Sequence, residues 1–300
     1  MLEVKNLVVK YGDFTAVNDI SFTVNKGEIF GLLGTNGSGK STTFRSAIGL
    51  LAPFSGSVLY NGEKISYANI DEVGYLIEER SLLSKYKVNE ITTYFGRLKS
   101  LDTQTINERL DFWLDFFDVP QYKTMKIKKL SKGNQQKIQF IIAVLNNPKL
   151  LILDEPFSGL DPVNMNMFIN AINELKKRGT IIIFSSHQIE MVEHFCEKVM
   201  ILEKGEAIVS GLIKEVKKEF PTRKVNIIAE GIDLDLLKET EGVLSVSLEK
   251  DGIVELSITD DSIVDKLFEY VKTLKSVRKF EMKYATLTEI FVKKVGEKRE

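Results

Sequence analysis

Ile29-Phe30-Gly31-Leu32-Leu33-Gly34-Thr35-Asn36-Gly37-Ser38-Gly39-Lys40-Ser41 is the stretch on which the fold turns. Its first five residues form a short apolar run suited to a central strand buried on both faces. The remainder fits the pattern G-x-x-x-x-G-K-S. Glycines at 34, 37 and 39 let successive backbone N–H groups turn inward around phosphate oxygens. A helix opening at this point aims its N-terminal N–H groups and positive dipole end at the same anion. Lys40 supplies a mobile positive charge for the terminal phosphates, and the Ser41 hydroxyl can enter the coordination shell of Mg²⁺. The order strand, glycine-rich turn, helix distinguishes a P-loop from a turn that carries a lysine by chance.

Outward from this loop the pattern is α/β. Upstream, Leu2, Val4, Leu7-Val8-Val9, then Ile20, Phe22 and Val24 alternate as antiparallel strands with turns at Gly12 and Lys26-Gly27. Downstream, residues 88–145 read as helical: Ile106, Leu110, Trp113, Leu114 and Phe117 recur at helical spacing, as do Ile138, Ile141, Ile142 and Leu145. Two buried-strand runs follow, Leu150 to Leu153 and Ile181 to Phe184, with a helix expected between them. This is a parallel-sheet core with an antiparallel β part and an inserted helical block.

The first of those strands ends in Asp154-Glu155. Asp154 is placed to hold Mg²⁺ directly or through water, and Glu155 to polarise an attacking water as general base. An acidic pair after a strand is by itself a weak signal, and it gains weight as the partner of a P-loop. Ser185-Ser186-His187 closes the second strand, and a histidine at that edge can reach a bound γ-phosphate. Alone, His187 reads as a half-exposed loop residue; the neighbouring motifs reverse that. His194 and Cys196 read as surface and packing residues.

The 300 residues allow two modest domains, and 43% apolar with 28% charged residues is ordinary for a globular protein. A net charge of −1 gives no bulk attraction to nucleic acid or an anionic membrane. One cysteine excludes an intramolecular disulfide and suits a reducing compartment, the cytosol being the simplest. The N-terminal residues show no apolar leader, and no apolar run approaches the ~18 residues of a membrane-spanning helix. Any membrane path is therefore expected from another chain. Lys126, Lys128, Lys129 and Lys132 read as a solvated face.

Leu130-Ser131-Lys132-Gly133-Asn134-Gln135-Gln136 lies between the P-loop and the acidic strand. With the motifs above and in this order, it resembles the signature loop of the nucleotide-binding domain of ABC transporters, over residues 1–211. The resemblance implies an ATP-hydrolysing subunit that uses ATP and Mg²⁺. Two such domains would close head to tail, with Ser131, Gly133 and Asn134 facing the γ-phosphate held by the partner. It implies that Tyr11 stacks on adenine and that Gly34, Asn36, Gly37, Ser38, Gly39, Lys40, Ser41 and Thr42 cradle the phosphates. Asp161, in the D-loop-like Ser158-Gly159-Leu160-Asp161, would cross the dimer interface, and His187 would be the switch histidine. Catalysis would rest on Glu155, His187 and Lys40, and metal binding on Ser41, Glu78 and Asp154. Glu78 stands where the family has a glutamine, in Gly74-Tyr75-Leu76-Ile77-Glu78. The signature also departs, with Lys132 in place of a glycine and Asn134 in place of a glutamine.

With Lys137, the form L-S-K-G-N-Q-Q-K is similar to a bacterial subfamily of sodium- and drug- or peptide-export ATPases, which often carry a C-terminal extension. Such a subunit implies separate transmembrane permease subunits, a second ATPase subunit (the same or a different cassette), export, and a location at the cytoplasmic face of the membrane. Leu82, Leu83, Tyr86 and Val88 are candidates for the permease groove. The cassette is expected over 1–215, and an accessory α+β domain over 222–300 beyond a boundary at Pro221. Its order βαββαβ suggests a ferredoxin-like unit. Two rival readings are a soluble ATPase of this type acting on DNA or ribosomes, and a degenerate regulatory cassette. The absence of a long coiled coil between Ser41 and Ser131 and the presence of one cassette disfavour the first. Lys40, Asp154, Glu155 and His187 disfavour the second.

Overall fold

A computed structural model describes residues 1–66, 68–77, 84–220, 223–249 and 251–297. The chain divides into two compact units, Met1–Ser210 and Gly211–Glu300. The sequence reading placed this division between 215 and 222; Pro221 itself lies outside the described residues.

In the first unit, β1 (Leu2–Tyr11), β2 (Phe14–Val24) and β4 (Ser55–Tyr60) form an antiparallel sheet in the order β2-β1-β4. A second sheet takes β3 (Ile29–Gly34), β5 (Val73–Leu76), β6 (Leu150–Leu153), β7 (Ile181–Ser186), β8 (Lys198–Glu203) and β9 (Glu206–Leu212) in the order β5-β6-β7-β3-β8-β9. The strands from β5 through β8 in that order pair in parallel. Every residue of β3, β6 and β7 is buried, as continuous apolar runs require when both faces of a sheet are covered. One core joins the two sheets: Val4, Phe22 and Val58 of the antiparallel sheet share it with Phe30, Ile152 and Ile183, and α1 (Lys40–Ala47) adds Phe44 and Ala47.

The helical block consists of α2 (Val88–Leu98), α3 (Thr103–Phe116) and α4 (Lys132–Val144). Its interior is aromatic. Trp113 lies 5.8 Å from Phe140 between ring centres, and Phe140 lies 5.2 Å from Phe168. Phe168 belongs to α5 (Pro162–Lys177), which follows the acidic strand. This chain of rings ties the helical block to α5. Trp113 is 1% exposed, so Trp113→Ala should lower the stability of this unit by about 3–5 kcal/mol. Thermal unfolding followed by far-ultraviolet circular dichroism would measure it, and a loss below about 1 kcal/mol would show that the cluster collapses around the void.

The short helix α6 (Ile189–Phe195) carries an exposed His194, and Cys196 follows it. Val192 and Cys196 pack where a Cβ on Gly31 would stand, and burial pushes the Cys196 thiol well up. Lys126, Lys128, Lys129 and Lys132 are all exposed.

The second unit contains α7 (Ile213–Glu219), β10 (Arg223–Glu230), α8 (Leu234–Glu239), β11 (Val243–Leu248), β12 (Val254–Ile258), α9 (Ser262–Lys272), β13 (Lys275–Tyr284) and α10 (Leu287–Glu297). The sheet order β11-β12-β10-β13, antiparallel throughout, interleaves two β-α-β units. Val225, Ile227, Leu256 and Ile258 pack against Leu237, Ile263 and Leu267 of α8 and α9. Lys224 ties three elements together through Glu255 at 2.9 Å and Glu289 at 2.8 Å.

Candidate functional site

The loop from Gly34 to Lys40 connects β3 to α1, the strand–turn–helix order expected of it. Two of its glycines, Gly34 and Gly39, are demanded by contact. A Cβ on Gly34 would stand 2.3 Å from Ser38 Oγ and 2.5 Å from the Leu202 carbonyl oxygen. Gly39 caps α1 at φ 108°, and a Cβ there would lie 2.7 Å from the Ala16 carbonyl oxygen. No other residue fits at either point without moving backbone.

Lys40 is 7% exposed and folds back over the loop. Its Nζ donates to the carbonyl oxygens of Gly34 at 2.8 Å and Thr35 at 3.2 Å, and lies 3.8 Å from Glu155 Oε1. Asp154 and Glu155, at 3% and 6% exposure, follow the end of β6. Glu155 sits at φ 49°, a left-handed conformation costly for a side chain with a Cβ. Ser185 holds the pair in place from β7: its Oγ donates to Asp154 Oδ1 at 2.6 Å and accepts from the Glu155 N–H at 2.9 Å. His187 Nδ1 lies 2.9 Å from Glu155 Oε2. Glu155 Oε1 and Ser38 Oγ are buried and make no hydrogen bond among the described residues. Buried oxygens without partners are rare and mark places where a ligand or water completes the site.

A cavity of about 350 Å³ opens here. Tyr11, Phe14 and Ala16 form one wall, residues 36–42 the floor, and Asp154 and Glu155 the far side. Tyr11 and Phe14 are 46% and 65% exposed, so flat apolar rings stand free at the outer end while charge and backbone N–H groups occupy the inner end. Such a gradient suits a nucleotide, whose base is aromatic and whose phosphates are anionic.

The structure thus brings together Tyr11, Asn36, Gly37, Ser38, Gly39, Lys40, Ser41, Thr42, Asp154 and Glu155, with Gly34 beneath the loop and His187 against Glu155. It does not bring Ser131, Gly133, Asn134 or Asp161 to this cavity. Ser131 caps α4 and accepts the Asn134 N–H at 3.3 Å, while the Asn134 side-chain amide donates to the Tyr122 hydroxyl at 2.9 Å. A Cβ on Gly133 would make ordinary van der Waals contact with Asn164 and Leu160, at 3.5 and 3.6 Å. Asp161 caps α5, and hydrogen bonds from Asn164 hold its carboxyl below the usual carboxylate range. Glu78 lies outside the described residues.

Sequence reasoning missed Phe14 and Ser185. Phe14 follows Tyr11 across the Gly12 turn, and only the hairpin geometry turns it to the cavity. Ser185 precedes His187 in a run of two serines, but its link to the acidic pair depends on β6 and β7 being neighbours. Thr35 also gains a buried partner, donating from Oγ1 to Glu203 Oε2 at 3.3 Å.

Comparison with known proteins agrees with this geometry. Residues 17–158 match the family model described as ABC transporter, and residues 211–295 match that of the C-terminal domain of DrrA1-3-like ATP-binding proteins. The chain is 43% identical over 296 residues to the uncharacterized ABC transporter ATP-binding protein YhaQ of Bacillus subtilis, covering 99% of each. It is 33% identical over 213 residues to the Nod factor export ATP-binding protein I of Sinorhizobium fredii, covering 70% of this chain and 62% of that one. A solved structure titled as the ATP binding subunit of an ABC transporter superposes with a TM-score of 0.69 at 30% identity, covering 73% of this chain and 93% of the other. With the cassette fold, the phosphate cradle and a relative matched from end to end, this chain belongs to the ABC transporter family as an ATP-binding subunit.

Proposed function

We propose that this subunit hydrolyses ATP, and that Glu155 is the general base. The observation that carries this is the setting of its carboxylate: one oxygen is oriented by His187, and the other is buried, unbonded and faces Lys40 beside the phosphate loop. The water oxygen attacks the γ-phosphorus as Glu155 takes its proton, and the bond to the ADP oxygen breaks. Lys40 and the loop N–H groups neutralise charge on the phosphate oxygens, and His187 holds Glu155 in position. Tyr11, with Phe14 beside it, stacks on the base.

Asp154 and the Ser41 hydroxyl border the same cavity and offer the oxygen ligands that Mg²⁺ prefers. Bound there, the ion would offset charge on the β- and γ-phosphate oxygens. Ser185 occupies Asp154 Oδ1 and so fixes the direction in which the carboxylate is offered.

In this reading the site is completed by a second ATPase subunit, whose Ser131, Gly133 and Asn134 cap the γ-phosphate. This is supported by their position away from the chain's own cavity. Closure then depends on contacts that ADP cannot make, and hydrolysis reopens the pair.

The family couples such motion to a membrane partner. Among the described residues no helix is long and apolar enough to cross a membrane. An apolar groove of about 400 Å³, lined by Tyr75, Leu76, Ile77, Phe95, Leu98 and Ile142, lies between the end of β5 and the helical block. It suits an apolar segment of a permease at the membrane's cytoplasmic face. Of the groove residues expected from sequence, Val88 is fully buried core, Tyr86 is 50% exposed, and Leu82 and Leu83 lie outside the described residues. Export as the direction rests on the relative named for Nod factor export.

Affinity purification from detergent-solubilised membranes tests the assignment. A polytopic membrane protein should co-purify in stoichiometric amount. Recovery with ribosomes or DNA-bound complexes and an empty membrane fraction would support the soluble-ATPase alternative instead.

A further inference from the structure

Near its start, α4 carries three consecutive side-chain amides, and each is committed to a different segment. Gln136 is buried, and its Nε2 donates to the Pro156 carbonyl oxygen at 3.3 Å. Gln135 Nε2 donates to the carbonyl oxygens of Leu130 at 3.0 Å and Ile127 at 3.3 Å, and so braces the turn that leads into Ser131. Both lean on main chain, which the fold fixes. Asn134 differs: its Nδ2 donates to a side chain, the Tyr122 hydroxyl, at 2.9 Å. Asn134 is also the residue that stands where the family signature has the longer glutamine.

Tyr122 sits on a braced turn. Pro120 restricts the backbone at the start of that turn, and the Tyr122 N–H donates to the Val119 carbonyl oxygen at 3.0 Å. The Tyr122 carbonyl oxygen accepts the Met125 N–H at 2.9 Å. The turn is fastened to the start of α2, where the Asn89 N–H donates to the Lys123 carbonyl oxygen at 2.9 Å and the Val88 N–H to that of Met125 at 3.0 Å. A free asparagine in the first turn of a helix bonds back to nearby main chain and samples several rotamers. The bond to Tyr122 removes that freedom, and it uses one of the two Nδ2 protons and leaves the other. The surroundings suit an anion. Lys132, the first residue of α4, is exposed and adds its charge to the positive end of the helix dipole, with no acidic residue in that turn to offset it. That arrangement is unfavourable for the helix alone and favourable once an anion arrives.

We propose that Tyr122 is a positioning residue of the signature loop, a role that rests on the paired-ATPase reading above. It holds the Asn134 amide so that the remaining N–H is ready for the γ-phosphate of the nucleotide bound by the other subunit. Tyr122 acts through Asn134 and touches no reacting atom itself. A donor fixed before binding loses less freedom when it binds, so the shorter asparagine gains from being held in advance.

ATP-driven pairing of the full chain in its hydrolysis-impaired Glu155→Gln form, measured by sedimentation equilibrium, tests this. Tyr122→Phe removes one hydroxyl and keeps the ring. Fixing one such side chain in advance is worth about 3–10-fold, and each head-to-tail pair contains two, so pairing should weaken by about 10–100-fold. ATP binding by the single subunit, measured at concentrations too low for pairing, should not change with Tyr122→Phe. Asn134→Ala should weaken pairing at least as much. Adding Tyr122→Phe to Asn134→Ala should then change pairing by less than about twofold, because the hydroxyl has nothing left to hold. A merely structural tyrosine would weaken pairing in both backgrounds. Pairing of Tyr122→Phe within about twofold of its parent, an equal further loss in the Asn134→Ala background, or indifference of pairing to Asn134→Ala overturns the role of Tyr122 while the paired reading stands. Absence of ATP-driven pairing in the parent form sinks the paired reading, and the role of Tyr122 with it.

Discussion

Glu155→Gln is expected to bind ATP with nearly unchanged affinity and to lose about 10²–10⁴-fold in turnover. Glutamine has the shape of glutamate, so the left-handed backbone at residue 155, the Ser185 contact to its N–H and the packing around it can persist. The side-chain amide can still meet His187. What it cannot do is accept a proton from water. On the proposed reading ATP affinity rests on the loop from Gly34 to Ser41, Lys40 included, none of which is altered. Phosphate release from Mg-ATP, beside equilibrium nucleotide binding on the same preparation, separates the two effects. A variant within about threefold of wild-type turnover would remove Glu155 from the role of base, since general-base catalysis contributes ~100-fold or more.

Lys40→Ala should act on the other quantity. Lys40 Nζ now rests on the carbonyl oxygens of Gly34 and Thr35, a position from which it can swing to a phosphate. Charge-assisted hydrogen bonds contribute ~1.5–3 kcal/mol each, so losing one or two predicts a fall in ATP affinity of about 100-fold. Turnover should fall as well. Lys40 is the cation beside the unbonded Glu155 Oε1, and with it gone that buried carboxylate loses its compensating charge. Calorimetric titration with a non-hydrolysable analogue measures the first effect. Affinity within about threefold of wild type would mean that the backbone N–H cradle alone carries phosphate binding.

The two variants thus divide the site between binding and chemistry. They also bear on Ser185, whose hydroxyl holds both members of the acidic pair from a neighbouring strand. That link explains how a residue in an unfavourable conformation can persist: the parallel register of β6 on β7 places the serine where it must be.

Much of this protein could be read from local pattern. The phosphate loop is a contiguous motif whose chemistry depends on glycine and lysine at fixed spacing. The buried strands Leu150 to Leu153 and Ile181 to Phe184 are short apolar runs that water excludes wherever they fall in the chain. The second unit shows the same: the expected order βαββαβ is the order of β10, α8, β11, β12, α9 and β13, because each element's apolar periodicity is local. What only the tertiary structure decided are relations between segments distant in sequence. Phe14 joins the nucleotide cavity because a hairpin turns it there. Ser185 and His187 reach Asp154 and Glu155 across about thirty residues because two parallel strands are neighbours. Val88 turned out to be core and not groove, since the interior of the helical block closes over it. Which strands form the edges of the C-terminal sheet is known only once strand order is, because a strand's sequence carries its periodicity but not its neighbours. Periodicity and motif spacing are fixed by covalent geometry along the chain; adjacency is fixed by which apolar faces find each other in the folded core.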